Sequence, residues 1–188
     1  MDPSTTAWRR QQRESLMAQR QAIPPEQRKR AAEIIAGRLD AIVAARGCTA
    51  IGLYWPIKQE IDLLPWATAL ARLGRVTLCL PVVVTPKAPL EYWRWDQGEP
   101  LARGIWNIPV PAKRDVVSPD LMLAPVLGFD RANFRLGYGG GYFDRTLAAL
   151  PVRPLVIGIG YDFGALDTIF PQPHDIPMDA VLTELRGT

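Results

Sequence analysis

The sequence holds one histidine, His174, and two cysteines, Cys48 and Cys79, among 188 residues. A single imidazole leaves almost no material for a zinc site or for a Ser/His/Asp or Cys/His triad. The cysteines lack CxxC spacing and lie beside or within apolar runs. They read as buried structural thiols of a chain kept in a reducing compartment. No apolar run approaches the length of a membrane-spanning helix, and the basic N-terminal segment is followed by no apolar core of the secretory kind. There is no internal repeat and no low-complexity run. The 18 prolines are scattered as loop terminators rather than gathered in a linker. What is present is ordinary globular composition, 48% hydrophobic and 22% charged. It is enough for one domain with a sizeable core, read here as residues 1–188.

Strong charge is also missing, since the net value is only +3. Its distribution says more. Residues 1–46 carry nine Lys and Arg against five acids, and the remaining chain carries thirteen against fourteen. All the excess positive charge is N-terminal. It marks either a solvated helix face or an arm that brings cations to an anionic ligand. A near-neutral remainder without a basic-aromatic repeat argues against a nucleic-acid binder.

The pattern along the chain alternates strands with helices. Residues 4–22 are polar and compatible with a helix. Pro24, Pro25 and Glu26 suit the first turn of a second. Its buried face is Ile35, Leu39, Ile42 and Val43, and Gly47 stops it. Residues 1–46 are therefore expected as a helical pair packing on the rest. Apolar strands are expected over 49–55, 75–83, 120–130, 153–160 and 180–184. Residues 90–95 form another, with Glu91, Trp93 and Trp95 on one face and Leu90, Tyr92 and Arg94 on the other. A helix over 62–74 has Asp62 as N-cap candidate and Gly74 as stop, and a further helix covers 142–150. Strands apolar on both faces point to a three-layer α/β/α architecture with a mainly parallel central sheet and an N-terminal helical arm. Ligands bind such sheets at the carboxyl ends of the strands. The loops there are 55–62, 81–89, 129–141 and 161–177.

One of these loops contains "FRLGYGGGYFDRTL", with four glycines in five positions followed at once by a helix. It is not a Walker A loop, because the lysine and hydroxyl residue are missing. It is not the dinucleotide fingerprint either, because Tyr142 occupies the third glycine position. Strand, glycine loop and helix N-terminus nevertheless make good anion-binding geometry. Arg135 enters the loop and Asp144 sits in the first helical turn, suited to the dipole or to Mg²⁺. Composition alone leaves a phosphate cradle and a purely structural turn both open.

The segment 135–144 resembles the signature R-L-G-x-G-x-G-[YF]-[YF]-D of the 5-formyltetrahydrofolate cyclo-ligase family. Four further segments, "YWPIKQEID", "GIWNIPVPA", "LMLAPVLGFD" and "HDIPMDAVLTE", resemble that family's in the same order, so the likeness covers essentially the whole chain. It implies ATP- and Mg²⁺-dependent closure of 5-formyltetrahydrofolate, with or without a polyglutamate tail, to 5,10-methenyltetrahydrofolate. It also implies a cytoplasmic monomer that binds neither membrane nor nucleic acid. By the same match, ATP falls to Arg9, Arg13, Arg135, Leu136, Gly137, Tyr138, Gly139, Gly140, Gly141, Tyr142 and Phe143. The metal falls to Asp144 and Asp175, and the folate to Glu60, Trp55 and Trp106. Arg135 and Tyr142 are the implied catalytic pair, Tyr142 near the formyl group. His174 reads as a loop residue, since Mg²⁺ prefers oxygen. Tyr138 and Gly140 stand where animal members carry basic residues, and Arg9 stands where members often have Lys. The backbone, Arg135 and the N-terminal arginines are then expected to do more of the phosphate binding. Two alternatives are a paralogue acting on another formamide- or pterin-like substrate and a non-catalytic protein that sequesters reduced folate.

Overall fold

The computed structural model describes residues 3–187. Helix α1 spans Pro3–Gln21 and α2 spans Pro25–Arg46. Pro25 occupies the first turn of α2, where a missing N–H costs nothing. Gly47 closes that helix in the left-handed region at φ 63, donating its N–H to the Val43 carbonyl. Ala31, Ile35, Leu39 and Val43, each four residues apart, form the buried stripe of α2. Helix α3, Leu64–Arg72, starts one residue later than a cap at Asp62 requires. Pro65 has no N–H for a capping side chain, so Asp62 Oδ1 accepts instead from Leu64 N at 3.0 Å. Helix α4 spans Tyr142–Ala149.

The strands are β1 Ala50–Gly52, β2 Thr77–Val82, β3 Glu91–Arg94, β4 Leu101–Arg103, β5 Pro109–Pro111, β6 Leu121–Pro125, β7 Gly128–Phe129, β8 Arg135–Leu136, β9 Leu155–Ile159 and β10 Ala180–Leu182. Six form the central sheet in the order β10-β9-β6-β1-β2-β3. Every pairing in it is parallel except β2 with β3. The antiparallel hairpins β4-β5 and β7-β8 were not expected from the sequence. All three residues of β4 are exposed, so no alternation marks it.

The sheet is apolar on both faces, and successive residues take opposite sides. Ile51, Leu53, Leu78, Leu80, Leu121 and Leu123 meet α2 and α3 on one face. Cys79, Met122, Ala124 and Val156 lie on the other, against Leu147 of α4. This is the expected three-layer architecture. Tyr92 of β3 and Trp95, the residue just after it, fall into opposite clusters, as the alternation demands. A smaller cluster of Leu16, Leu136 and Ile169 fixes α1 over the loops that follow the strands.

Candidate functional site

The strand order reverses at β1, with β2 on one side and β6 on the other. An open parallel sheet splays its loops apart there and leaves a crevice. Four loops meet around it. The loop after β1 carries Glu60, the one after β2 carries Lys87, the one after β6 leads into the glycines, and the one after β9 carries Asp175.

The glycine segment leaves β8 and turns sharply into α4. Gly139 has φ 91 and Gly141 φ 64, conformations that a side chain disfavours. No side chain caps α4, so its first N–H groups stay free to receive an anion. Two arginines embrace the loop. Arg13 Nε donates to the Gly137 carbonyl at 2.7 Å, and burial followed by the nearby Arg9 charge lowers the Arg13 pKa. Arg145 reaches back from α4, donates to the Gly140 carbonyl and lies 5.0 Å from the Tyr142 ring centroid.

Helix α1 supplies Arg9, Arg13, Leu16 and Arg20, spaced four, three and four residues apart and therefore on one face. Arg9 Nε donates to the Ile169 carbonyl at 2.9 Å, and Nη2 pairs with Asp175 Oδ2 at 2.6 Å. Arg20, only 2% exposed, donates to the Tyr138 hydroxyl, and its Nη1 stands 3.9 Å from Glu60 Oε1. Arg10, about a quarter-turn round the helix, is solvated and pairs with Glu14.

The two acids assigned to metal by likeness come together through Ile176. Its N–H donates to Asp144 Oδ1 at 3.0 Å, and it follows Asp175 directly. Arg135 braces this junction. Its Nη1 donates to the Ile176 carbonyl at 3.1 Å, while Nη2 sits 2.7 Å from Asp144 Oδ1, an ion pair without hydrogen-bond alignment. Asp175 Oδ2 also accepts from Gln172 N. Among the described residues no hydrogen bond falls on Asp144 Oδ2 or Asp175 Oδ1. No group of three His, Cys, Asp or Glu side chains forms a closed metal cage there. Two carboxylate oxygens without hydrogen bonds beside a glycine loop fit Mg²⁺, which takes one or two protein carboxylates and fills its shell with water and phosphate. His174 is exposed, its Nε2 3.8 Å from Asp175 Oδ1.

Glu60 is 7% exposed. Its Oε1 accepts from the Tyr138 hydroxyl at 2.8 Å and its Oε2 from Ile57 N at 3.0 Å. Burial raises its pKa, opposed by the Ile57 N–H, Tyr138, Arg20 and Lys58. Trp106 stands edge-on to Tyr142 at 5.6 Å, and the Tyr142 hydroxyl accepts from Lys87 N at 3.3 Å. Trp106 is 67% exposed and held at φ 57, an uncommon conformation for a bulky residue that concentrates at functional sites.

Other expected site residues have the following surroundings. The Leu136 side chain is core, packed with Leu16, so only its backbone faces the loop. Phe143 stacks beneath the Arg135 guanidinium at 5.4 Å. The ring contact of Trp55 is with Trp95 at the core edge, not with Trp106. Arg135 is committed to Asp144 and Ile176 rather than standing free in the loop. Arg20, Arg145 and Lys87 were not anticipated. For Arg20 a signal existed, the helical spacing from Arg9 and Arg13.

A model of the 5-formyltetrahydrofolate cyclo-ligase family matches residues 5–184. The 5-formyltetrahydrofolate cyclo-ligase of Mycolicibacterium smegmatis is 32% identical over 94% of this chain and 94% of its own. That of Escherichia coli K12 is 27% identical over 87% of this chain and 93% of its own. The structure of Aquifex aeolicus 5,10-methenyltetrahydrofolate synthetase superposes with a TM-score of 0.81 at 28% identity, covering 95% of this chain and 90% of that one.

Proposed function

This chain belongs to the 5-formyltetrahydrofolate cyclo-ligase family, and from that premise we propose how its residues divide the work. It is an ATP-dependent ligase that closes 5-formyltetrahydrofolate to 5,10-methenyltetrahydrofolate. A formamide carbon is a poor electrophile. Transfer of the γ-phosphoryl group to the formyl oxygen breaks the bond to ADP and turns that oxygen into a leaving group. N10 of the same molecule then attacks the formyl carbon, loses its proton, and phosphate departs. Such chemistry asks the protein for positioning and charge neutralisation, not for a histidine base.

The observation that carries the assignment is the 2.8 Å bond from Tyr138 to Glu60. It joins the glycine loop, suited to phosphates, to a buried acid suited to the amino and N–H donors of a pterin. Donor and acceptor ends of the transfer are thereby adjacent. The loop backbone and the N-terminus of α4 receive the phosphates, with Arg13 and Arg145 as neighbouring cations. Arg9 and Arg135 orient Asp175 and Asp144. Those two acids would hold Mg²⁺, which when bound neutralises phosphate charge. Trp106 and Tyr142 flank the reduced ring, Tyr142 beside the formyl group. Two free, buried thiols support a reducing cytoplasmic compartment. No described helix is long and apolar enough to cross a membrane.

The test mixes protein, 5-formyltetrahydrofolate, ATP and Mg²⁺ and follows methenyl absorbance. ATP-dependent product is expected, and its absence defeats the reading. Asp144→Asn should lower turnover by about 100-fold or more, in the range for a lost charge-stabilising group. A wild-type rate in that variant would refute the metal assignment.

A further inference from the structure

Arg20 is a buried cation in the last turn of a polar helix, with partners on two distant loops. Its Nη2 donates to the Tyr138 hydroxyl, and Tyr138 in turn donates to Glu60 Oε1 at 2.8 Å. The direction of this chain is fixed by chemistry. A guanidinium has only donors, and a hydroxyl has one proton, so the Tyr138 proton must lie toward Glu60. Oε1 must then be an acceptor. Oε2 is already an acceptor for Ile57 N. The arrangement therefore suits the ionised carboxylate, and it leaves about two of its four lone-pair sites open to a ligand.

We infer that Arg20 is a positioning residue for the reaction. Acting through Tyr138 and through its own charge, it holds Glu60 ionised and oriented toward the amino and N–H donors of the reduced pterin. The inference rests on the folate reading of Glu60 given above. It assigns a task to Arg20, and it changes that of Tyr138 from a phosphate neighbour to the bridge between the nucleotide loop and the pterin acid.

The surroundings bear this out. Burial disfavours the Glu60 charge. The groups facing it are Arg20 from α1, Lys58 from its own loop and Tyr138 from the glycine loop. Tyr54 and Tyr161 lie close enough to interact with it, and Tyr161 donates to the neighbouring Gln59 carbonyl. Asp62 and, from α2, Arg28, Lys29 and Glu33 share a cleft wall with it. Among these, Arg20 is the cation buried with Glu60, the two side chains being 3% and 4% exposed. Lys58 leans instead over the Tyr138 ring, 5.2 Å from its centroid. Without Arg20 the burial cost is opposed by the Ile57 N–H, Tyr138 and Lys58 with one buried cation fewer, and the carboxyl holds its proton to higher pH.

The experiment measures kcat and both KM values from pH 5.5 to 8.5 for the full chain and for Arg20→Met, Arg20→Lys, Tyr138→Phe and Glu60→Gln. Arg20→Met should raise the folate KM about tenfold or more, the loss expected for a hydrogen bond to a charged group, while the ATP KM moves less than about threefold. The acid limb of the folate kcat/KM profile should shift to higher pH. Arg20→Lys should recover most of both effects. Tyr138→Phe removes one oxygen from a partly exposed side chain and should act in the same direction, so the proposal stays testable if Arg20→Met does not fold. A wild-type folate KM and acid limb in folded Tyr138→Phe, or in folded Arg20→Met, would overturn the inference. A rise confined to the ATP KM would do so as well. If Glu60→Gln leaves the folate KM unchanged, the folate reading fails. If Glu60→Gln raises it and the Arg20 and Tyr138 variants do not, only the positioning role fails.

Discussion

The glycine loop makes its strongest prediction at Gly139. Its φ of 91 lies where a Cβ crowds the backbone, and the added carbon would sit 3.4 Å from Arg13 Cζ and Nη2. Backbone strain of this kind costs about 1–3 kcal/mol, and the contact with Arg13 adds a small displacement of the guanidinium. Gly137 is the matched control. Its φ is outside the positive region and a Cβ there meets nothing within 4 Å. The two substitutions delete the same glycine hydrogen two residues apart in one loop, and only one of them is strained.

Where the strain appears matters as much as its size. Gly139 is exposed, so the free loop can relax locally instead of destabilising the whole fold. The cost returns when the loop must form its cradle around phosphates. Gly139→Ala should therefore raise the ATP KM about 5- to 150-fold, the ratio equivalent to that strain, while the melting temperature falls by less than about 4 °C. Gly137→Ala should change either value little. Gly140→Ala distinguishes backbone from ring effects, because its Cβ would meet Tyr142 Cδ2 at 3.0 Å without a positive φ. Its effect should fall on the folate KM. Steady-state kinetics by methenyl absorbance and a thermal melt read all three. Equal damage from Gly137→Ala and Gly139→Ala, or a wild-type ATP KM in Gly139→Ala, would refute a backbone cradle.

Trp106 is 67% exposed, so its removal should leave the fold intact, yet the folate KM should rise several-fold from loss of an aromatic contact worth about 0.5–1.5 kcal/mol. Because its φ is 57, Trp106→Gly should melt no lower than Trp106→Ala, and the reverse order would remove the strain argument. Burial pushes the Cys79 thiol up to about 12, leaving on the order of one molecule in ten thousand as thiolate at pH 8. A thiol-specific disulfide reagent should find it unreactive in the native protein and reactive in denaturant, and stoichiometric native labelling of Cys79 would contradict its burial.

The layers of this fold were legible because their signals are local. Four-residue spacing marks the buried face of α2, Pro25 and Gly47 bound it, and continuous apolar runs mark strands covered on both sides. The two hairpins were not legible. β7 and β8 contribute two residues each, and β4 buries none, so neither period nor hydrophobicity announces them. The site was legible in outline through the glycine loop and its flanking Arg135 and Asp144. Its internal wiring was not. In sequence Arg10 and Arg20 are alike, two arginines on one polar helix. In the fold Arg10 is solvated and Arg20 is buried, because Glu60 and Tyr138 lie under one face only. Tyr138 read as a lost cation by comparison with animal relatives. Its hydroxyl instead completes a contact that no linear spacing predicts.

Helix α1 follows from the same physics. The buried side chains along it are Arg9, Leu16 and Arg20, so Leu16 is its one buried apolar anchor. One leucine supplies about 1.5–3 kcal/mol, little to order a helix of 19 residues. Half-buried Trp8 adds an edge contact with Phe170 at 4.9 Å, and charge-assisted bonds run from Arg9 to Asp175, from Arg13 to the Gly137 carbonyl, and from Arg20 to Tyr138. A charge-assisted bond contributes about 1.5–3 kcal/mol when made and costs more when one partner is removed and the other stays buried. Each of those partners belongs to a loop of the proposed site. Docking of α1 and assembly of the site are therefore one coupled equilibrium. A change at Asp175 loosens the helix, and a change at Arg9 disorganises a loop 166 residues away in sequence.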